Sequence, residues 1–333
     1  MTLQQQSGWQ IQQQLIRYLA DGQFYSGSWL GEQLQLSRTA IANHMQQLEQ
    51  FGLELFKVKG KGYRLAQPLQ LLSAEKIVHF QPPGSAQIEV ESIVDSTNSQ
   101  LMQRLQRGDK LLKGQCLVAE AQTTGRGRHG RVWHSPFAAN LYCSMYWQLE
   151  QGIQAAMGLS LVIGVAVAEL LEQQYQLKPA LKWPNDIYGD GKKLAGVLIE
   201  LSGQSDGQCQ LVIGMGINVQ MPAQSALQHI GQPWIDLTTL AGALDRNQLI
   251  AHLQQCCIKQ LQRFEQHGFQ AFQSEFNRRD LFQGQPVRLV QGTQQISGTC
   301  HGVDAQGNLI VEHQGKKQLY HGGELSLRAD AQH

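Results

Sequence analysis

Between Glu120 and Glu150 the chain has no acidic residue, although Arg126, Arg128 and Arg131 all fall in that interval. The three arginines alternate with Gly125, Gly127 and Gly130 in "TTGRGRHGRVWHS" (123–135), so nothing nearby in sequence neutralises them. Other things are scarce too. The six cysteines form no C-x-x-C pair and mostly lie in apolar runs, which excludes a zinc ribbon and reads as reduced thiols used as small hydrophobes. The opening "MTLQQQSGWQ" has no basic stretch leading into an apolar one, so no signal peptide is expected and the expected location is cytoplasmic. The most apolar segment, "AAMGLSLVIGVAVAELL" (155–171), falls short of the ~20 uninterrupted apolar residues a bilayer needs, and reads as a buried helix with no membrane partner. No internal repeat is apparent. Charged residues make up only 16% of the chain and its formal charge is +1, which leaves no general basic coat for nucleic acid. Any DNA contact must come from a local patch.

What is present divides 333 residues into two domains, or three if some are small. Ile11, Leu15 and Leu19 keep helical spacing, and a short helix can start near Ser28. After "QLS", Ser37 is a plausible N-cap for "RTAIANHMQQLEQF", which Gly52 can end. Ile41, Met45 and Leu48 share one face, leaving Thr39, Asn43, Gln46 and Gln47 pointing the other way, where short polar side chains can reach base edges. "LELFKVKGKGYRL" (53–65) then alternates like a strand, turns at Gly60–Gly62 and returns, carrying Lys57, Lys59, Lys61 and Arg64. A basic hairpin beside a helix-turn-helix is the layout of a wing on phosphate backbone. The expected DNA-binding residues are Ser37, Arg38, Thr39, Asn43, Lys59 and Lys61, in a unit spanning 1–66. "AQPLQLLS" (66–73) reads as a linker, with Pro68 blocking helix.

From Ser73 to Phe282 strands and helices mix, predicting an α+β sheet with helices largely on one side. "DSTN" (95–98) offers hydroxyls and an amide at the start of a helix carrying Leu101 and Leu105, stopped at Gly108. The arginine loop contains G-x-G-x-x-G, but "RVWHSPF" follows it without helical spacing, so a dinucleotide fold is rejected. It also lacks a P-loop ending. On composition alone a solvated or RNA-contacting loop fits as well as a ligand loop. Guanidinium forks bind carboxylate and phosphate bidentately, so a ligand loop should be disordered when empty and close over an anion. "KWPND" (182–186), Lys193 in "KKLAG" and Asn218 ending "GMGIN" add cations and amides. No Ser/His/Asp ordering or metal cluster is evident. Dispersed cations without a nucleophile suit attack by a substrate carboxylate on a nucleotide phosphate.

In that order "DSTN", "GRGRHGR", "KWPND", "KKLAG" and "GMGIN" resemble the biotin–protein ligases. With "LGEQLQLSRTAIANHMQQLEQFG" and "GKGY", essentially the whole chain resembles the bifunctional type that is also the biotin-operon repressor. The resemblance implies that biotin and MgATP give biotinoyl-5′-AMP and pyrophosphate, and that biotin then passes to a lysine of biotin carboxyl carrier protein. It places Ser96, Thr97, Asn98 and Gln122 around biotin, chiefly its ureido end, with Arg126, Gly127 and Arg128 closing over the ligand. Lys193 reaches the carboxylate and phosphates and, with Arg126, takes the catalytic part. Arg128 and Arg131 meet the nucleotide, and Asn218 faces adenine with Trp234 beside it. His129 stands where a further arginine is common, and His134 where an aromatic is common. No general base for the second step is identified; Asp186 is a candidate whose plainer role is to fix the "WPND" turn.

Residues 245–279 read as helices that cover the sheet, and five short strands after Phe282 read as a small SH3-like barrel at 283–333, the family's third domain. The expectation is an enzyme and repressor in one chain, with biotin, ATP and Mg2+ as its ligands. Its partners would be the carrier protein, operator DNA and a second copy recruited by the adenylate. A metabolite-sensing repressor without ligase activity and a lipoate-type ligase are the alternatives.

Overall fold

Leu15 and Leu19, one helical turn apart, fix the inner face of the first helix. The computed structural model describes residues 3–49, 53–150, 156, 158–205, 208–222, 230–291, 294–321 and 326–329, and both leucines are fully buried in α1 (Leu3–Leu19). α2 (Gly27–Leu34) is capped by Ser26, whose Oγ accepts from the Trp29 amide at 3.0 Å. In α3 (Arg38–Glu49) the expected face Ile41, Met45 and Leu48 is buried, and the Ser37 Oγ caps the helix by accepting from the Ala40 amide at 3.1 Å. The expected stop at Gly52 lies outside the described residues. Gln47 does not project freely, because its Oε1 accepts from Gln12 of α1 at 2.6 Å. The basic hairpin is β1 (Leu55–Val58) antiparallel to β2 (Gly62–Leu65). Gly62 is required there: its φ is +105°, and a Cβ would sit 2.0 Å from the Tyr25 carbonyl oxygen.

The central sheet forms because "QCLVAEA", "NLYCSMYWQL" and their partners alternate between two covered faces. In chain order the unit runs α4 (Ala74–Phe80), β3 (Ile88–Val94), α5 (Thr97–Gln106), β4 (Cys116–Gln122) and β5 (Leu141–Leu149). It continues through α6 (Leu159–Tyr175), β6 (Ala180–Lys182), β7 (Asp186–Gly189), β8 (Lys192–Ser205) and β9 (Gln208–Ile217). α7 (Leu237–Ala241), α8 (Arg246–His267) and α9 (Gln273–Arg279) complete it. The seven strands lie in the order β3-β4-β5-β9-β8-β7-β6, with β3 and β4 parallel and every other pair antiparallel. Cys116 and Val118 point into the core under α6 and α8, while Leu117 and Val212 pack with Leu101 of α5 on the opposite face. So the helices lie largely on one side, as expected, with α5 the exception. α6 is apolar on nearly all sides, as a helix buried between sheet and α8 must be.

β10 (Pro286–Gln291), β11 (Gln294–Val303), β12 (Leu309–His313), β13 (Lys316–Tyr320) and β14 (Ser326–Ala329) form an antiparallel sheet in the order β13-β12-β11-β10-β14: four strands meander and the fifth returns beside the first, the five short strands expected of a small SH3-like barrel. Its buried residues Val287, Leu289, Leu309 and Val311 belong to the same apolar cluster as α6 and α8. The class is α+β.

The linker is pinned rather than loose. Arg246, at the start of α8, is 3% exposed; its guanidinium reaches Glu120 of β4 at 2.8 Å, the Asn140 carbonyl at 2.9 Å and the Gln70 carbonyl. The Glu120 Oε1 accepts from the Leu72 amide at 2.5 Å, and the Asn247 Oδ1 accepts from the Ser73 amide at 2.7 Å. Beside this clamp, Ala121, Phe137 and Ala138 of the central unit join the apolar cluster of the helix-turn-helix.

Candidate active site

Ser96 Oγ caps α5, and the residues behind the cap, Thr97 and Asn98, are buried at the end of the sheet. The Gln122 Oε1, at the end of β4, accepts from the Thr97 amide at 2.9 Å. The Ser144 Oγ, fully buried on β5, lies 2.7 Å from the Thr97 Oγ1 and 2.5 Å from the Asn98 Oδ1. The Asn98 Nδ2 donates to Glu200 at 2.7 Å and to the Leu198 carbonyl at 3.3 Å. One end of the site is therefore a network of hydroxyls and amides.

The arginine loop is folded, contrary to the disorder expected of it. The Gly127 amide donates to the Arg131 carbonyl at 2.7 Å, the Trp133 amide donates to the Gly125 carbonyl at 2.9 Å, and a bridge pairs Arg126 with Val132. These bonds close a small hairpin around one 3-10 turn at Arg128–Gly130, with His129 in the left-handed region at φ +56°. The hairpin is tied down by side chains as well: Arg126 to both oxygens of Glu200 at 3.0 Å, and the Arg128 Nη1 to the Asn185 Oδ1 at 3.1 Å. Local backbone pairing and side-chain ties to β8 and to the "KWPND" turn account for its order.

"KWPND" is the turn between β6 and β7, with a cis Trp183–Pro184 peptide. The Asn185 Nδ2 donates to the Val197 carbonyl at 2.9 Å, which docks the turn on β8. Asp186 faces Lys193 across β7 and β8, with 2.8 Å between the Nζ and the carboxylate, both largely buried. The Trp133 indole lies against the paired glycines Gly196 and Gly216, and a Cβ on Gly216 would sit 2.4 Å from it. Glycine on β9 is thus what admits the ring.

These groups line one cavity of about 720 Å3. Ser96, Thr97, Asn98, Gln122, Arg126, Gly127, Arg128, Arg131 and Lys193 all contribute to it. So do Lys182 and Asn185 of "KWPND", whose cation and amide the sequence pointed to, and three residues it did not: Trp133, Tyr188 and, from β14, Arg328. His129 and His134 line it too. Asn218 and Trp234 do not. The Asn218 Nδ2 donates to the carbonyls of Ile235 at 3.1 Å and Lys193 at 3.3 Å, so it ties the start of β8 to the 230–235 segment, and Trp234 bridges to Lys193 through backbone. Burial lowers the pKa of Lys182 and of Arg128; the neighbouring Lys193, Arg328 and Arg131 push Lys182 the same way, against Asp186. Among the described residues its lining carries six cations against the one carboxylate of Asp186, which makes this cavity attract anions.

On the head, Arg38, Thr39 and Asn43 are exposed on α3, and Lys59 and Lys61 are exposed at the hairpin tip. The Ser37 hydroxyl is committed to its cap. Arg64 lies between the rings of Phe24 and Phe56, with its guanidinium about 5 Å from each, and Lys61 sits 5.8 Å over Phe24. Aromatic faces thereby fix these two cations on the wing.

Ser144 and Glu200 gave a faint signal, as lone polar residues in the apolar strands "NLYCSMYW" and "AGVLIEL". Arg328 gave none, since only the fold brings β14 to a loop two hundred residues away in sequence.

The sequence model of the Biotin/lipoate A/B protein ligase family matches residues 90–218, that of an HTH domain residues 11–64, and that of the Biotin protein ligase C terminal domain residues 282–328. The bifunctional ligase/repressor BirA of Salmonella typhimurium is 46% identical over 315 residues, covering 95% of this chain and 97% of that protein. The protein of the same name from Escherichia coli is 45% identical, covering 95% and 96%. Among solved structures, a biotin protein ligase from Aquifex aeolicus in complex with biotin and ATP shares 30% identity and a TM-score of 0.64, over 73% of this chain and 99% of that one. The chain belongs to the biotin–protein ligase family, alongside its bifunctional ligase/repressor members.

Proposed function

We propose that this chain activates biotin with ATP to biotinoyl-5′-AMP, transfers the biotinyl group to a lysine of a biotin carboxyl carrier protein, and represses transcription through its winged head. One observation carries the reading: a single cavity joins a neutral hydrogen-bonding end, built by Thr97, Gln122 and the Asn98–Ser144 pair, to a cationic end built by Arg128, Arg131, Lys182, Lys193 and Arg328. A ligand with a neutral ureido head and a carboxylate tail, set beside a nucleotide phosphate, spans such a site.

In the first step a biotin carboxylate oxygen attacks the α-phosphorus of ATP, and pyrophosphate leaves. Lys193 and Arg128 draw the two anions together and offset charge on the transferring phosphoryl group. In the second step the carrier amine attacks the acyl carbonyl, AMP leaves, and the amine proton is lost. Asp186, the carboxylate on the cavity lining, is the residue we assign to steering that proton and to holding Lys193. Arg126 and Gly127 form the base of the flap over biotin, and Ser96 sets α5. Asn218 and Trp234 shape the adenine side indirectly, through the segment at 230–235. Mg2+ would enter bound to the phosphates: Lys193 already engages Asp186, and among the described residues no three His, Cys, Asp or Glu cluster as a cage.

The units are assigned as 1–66 for operator DNA, 73–282 for catalysis and 283–333 for nucleotide and carrier engagement. Arg38, Thr39 and Asn43 would meet base edges, and Lys59 and Lys61 phosphates. The adenylate would act as corepressor by favouring a dimer paired through central-sheet edges, giving two heads to a two-fold operator. Sedimentation with and without adenylate tests this, and a ligand-independent monomer would end the switch idea. Among the described residues no helix is long and apolar enough to cross a membrane, and a cytoplasmic location is proposed.

The deciding experiment is exchange of labelled pyrophosphate into ATP, run with biotin and then with lipoate. Exchange with biotin is expected; none with either acid would favour a pure sensor, and preference for lipoate would favour a lipoate ligase. A second outcome follows from Lys182. Nucleotide phosphates should raise its lowered pKa back toward the ordinary lysine value of about 10.4, so ATP binding should take up a proton at alkaline pH. Affinity should therefore fall as pH rises through the lowered value. Calorimetry in two buffers of different ionisation heat reads the proton count, and no uptake would exclude Lys182 from the phosphates.

A further inference from the structure

Glu200 is an acid on β8 that faces the site from outside its main cavity. It lines a second space of about 330 Å3 with Leu198, between β8 and the underside of the arginine hairpin. Its carboxylate takes the Arg126 Nη2 on both oxygens at 3.0 Å and the Asn98 Nδ2 on Oε2 at 2.7 Å.

The Asn98 bond has consequences further in. A carboxylate can only accept, so at 2.7 Å Glu200 gives the shorter of the two bonds, beside the 3.3 Å bond to the Leu198 carbonyl, that fix the Asn98 amide with nitrogen toward β8 and oxygen toward β5. The Asn98 Oδ1 can only accept in turn, so the Ser144 hydroxyl at 2.5 Å must donate to it. Ser144 has one proton; toward Thr97, 2.7 Å away, it can only accept. The Thr97 proton is then held between Ser144 and the Gln122 Oε1, itself an acceptor 3.2 Å away. Both lone pairs of the Thr97 hydroxyl, which lines the cavity, are then left to accept from a donor there.

We propose that Glu200 is a positioning residue for biotin: its charge sets the direction of the Asn98–Ser144–Thr97 hydrogen bonds, so that the head of the cavity presents an acceptor to a ligand N–H, and the same charge holds Arg126 at the base of the flap. The inference rests on the biotin reading above. Recognition of the neutral head and closure of the cationic loop thereby share one carboxylate, and a ligand whose head lacks an N–H forfeits the acceptor this chain maintains.

The test is pyrophosphate exchange on the full chain with Glu200→Gln, Ser144→Ala and the double variant. Gln can turn a donor toward Asn98 and release the fixed order. In Glu200→Gln the KM for biotin should rise about tenfold and by more than kcat falls, the scale of one misdirected buried hydrogen bond. Because Ser144 carries the effect inward, the double variant should be no worse than the poorer single one. Glu200→Asp, still charged but shorter, should fall between wild type and Glu200→Gln, and it serves if the latter does not fold. A wild-type KM in either Glu200 variant, or penalties that multiply in the double variant, would overturn the proposal. Exchange by the wild type with unaltered Glu200→Gln removes this role alone, whereas no biotin-dependent exchange by the wild type removes the biotin reading and this inference together.

Discussion

Arg246→Met is expected to destabilise the chain by about 3–5 kcal/mol, the cost of stranding one member of a buried ion pair. Methionine fills much of the volume, so packing is not the main loss. What is left is the Glu120 carboxylate, 5% exposed, with the Leu72 amide as its remaining partner, and carbonyls of Asn140 and Gln70 without their donor. Urea unfolding followed by tryptophan fluorescence reads the loss as a lower midpoint. Removing the charge as well, in Glu120→Leu/Arg246→Met, should recover part of it, since no charge then stays buried. Operator binding should suffer more than pyrophosphate exchange in the double variant, because the Gln70 carbonyl and the Leu72 amide lose their side-chain partners on the core, leaving the linker held mainly by Asn247, while the cavity keeps its lining. A single variant as stable as wild type would mean that Arg246 and Glu120 are solvated in solution and that the linker is not clamped.

Lys193→Gln carries the largest expected kinetic effect, a fall in the adenylation rate of about 10²–10³-fold, the scale of deleting one donor aimed at developing charge. Its side chain is 13% exposed, with the ammonium 2.8 Å from Asp186 and 5.5 Å over the Trp133 ring, so it reaches the cavity from a fixed direction. Glutamine keeps most of the length and a donor but no charge, and it takes from Asp186 its directly paired cation, leaving Lys182 and Arg128 to offset that carboxylate against the phosphates. Both changes act against the transition state. Single-turnover formation of the adenylate, measured at saturating biotin and ATP, separates this from weaker binding. A rate within about threefold of wild type would contradict the role given to Lys193, since an electrostatic donor at the phosphoryl group costs more.

What the sequence disclosed of this site is what short-range chemistry can show. "DSTN", the glycine–arginine loop, "KWPND" and "KKLAG" each put their own residues on the cavity, because strand ends and tight turns oblige those side chains to face it. Asn218 is different. Its place at the end of β9 was legible, but which carbonyls would approach its amide depends on the 230–235 segment crossing β8. Order in the arginine hairpin was hidden for the same reason, since Glu200 and Asn185, which hold it, come from β8 and the turn before β7. Pairings between sheet and helix, such as Glu120 of β4 with Arg246 of α8, leave no periodic trace at either residue. Local pattern predicted the elements, then, and long-range contacts decided the ties between them.

The C-terminal strands share their apolar interior with α6 and α8, and Trp183 of the "KWPND" turn donates from its indole to the Gly307 carbonyl at 3.2 Å. A stretch that reads as a separable module is therefore, in folding terms, one wall of its neighbour. A truncation before Gln283 would leave α6, α9 and the turn at Trp183 facing water, and would be expected to yield a sticky, aggregation-prone fragment in place of a slower enzyme. Tags, fusions and reporter insertions are better placed in the exposed turn at Gln314–Gly315, where a Cβ on the glycine meets nothing, than at the seam between sheets.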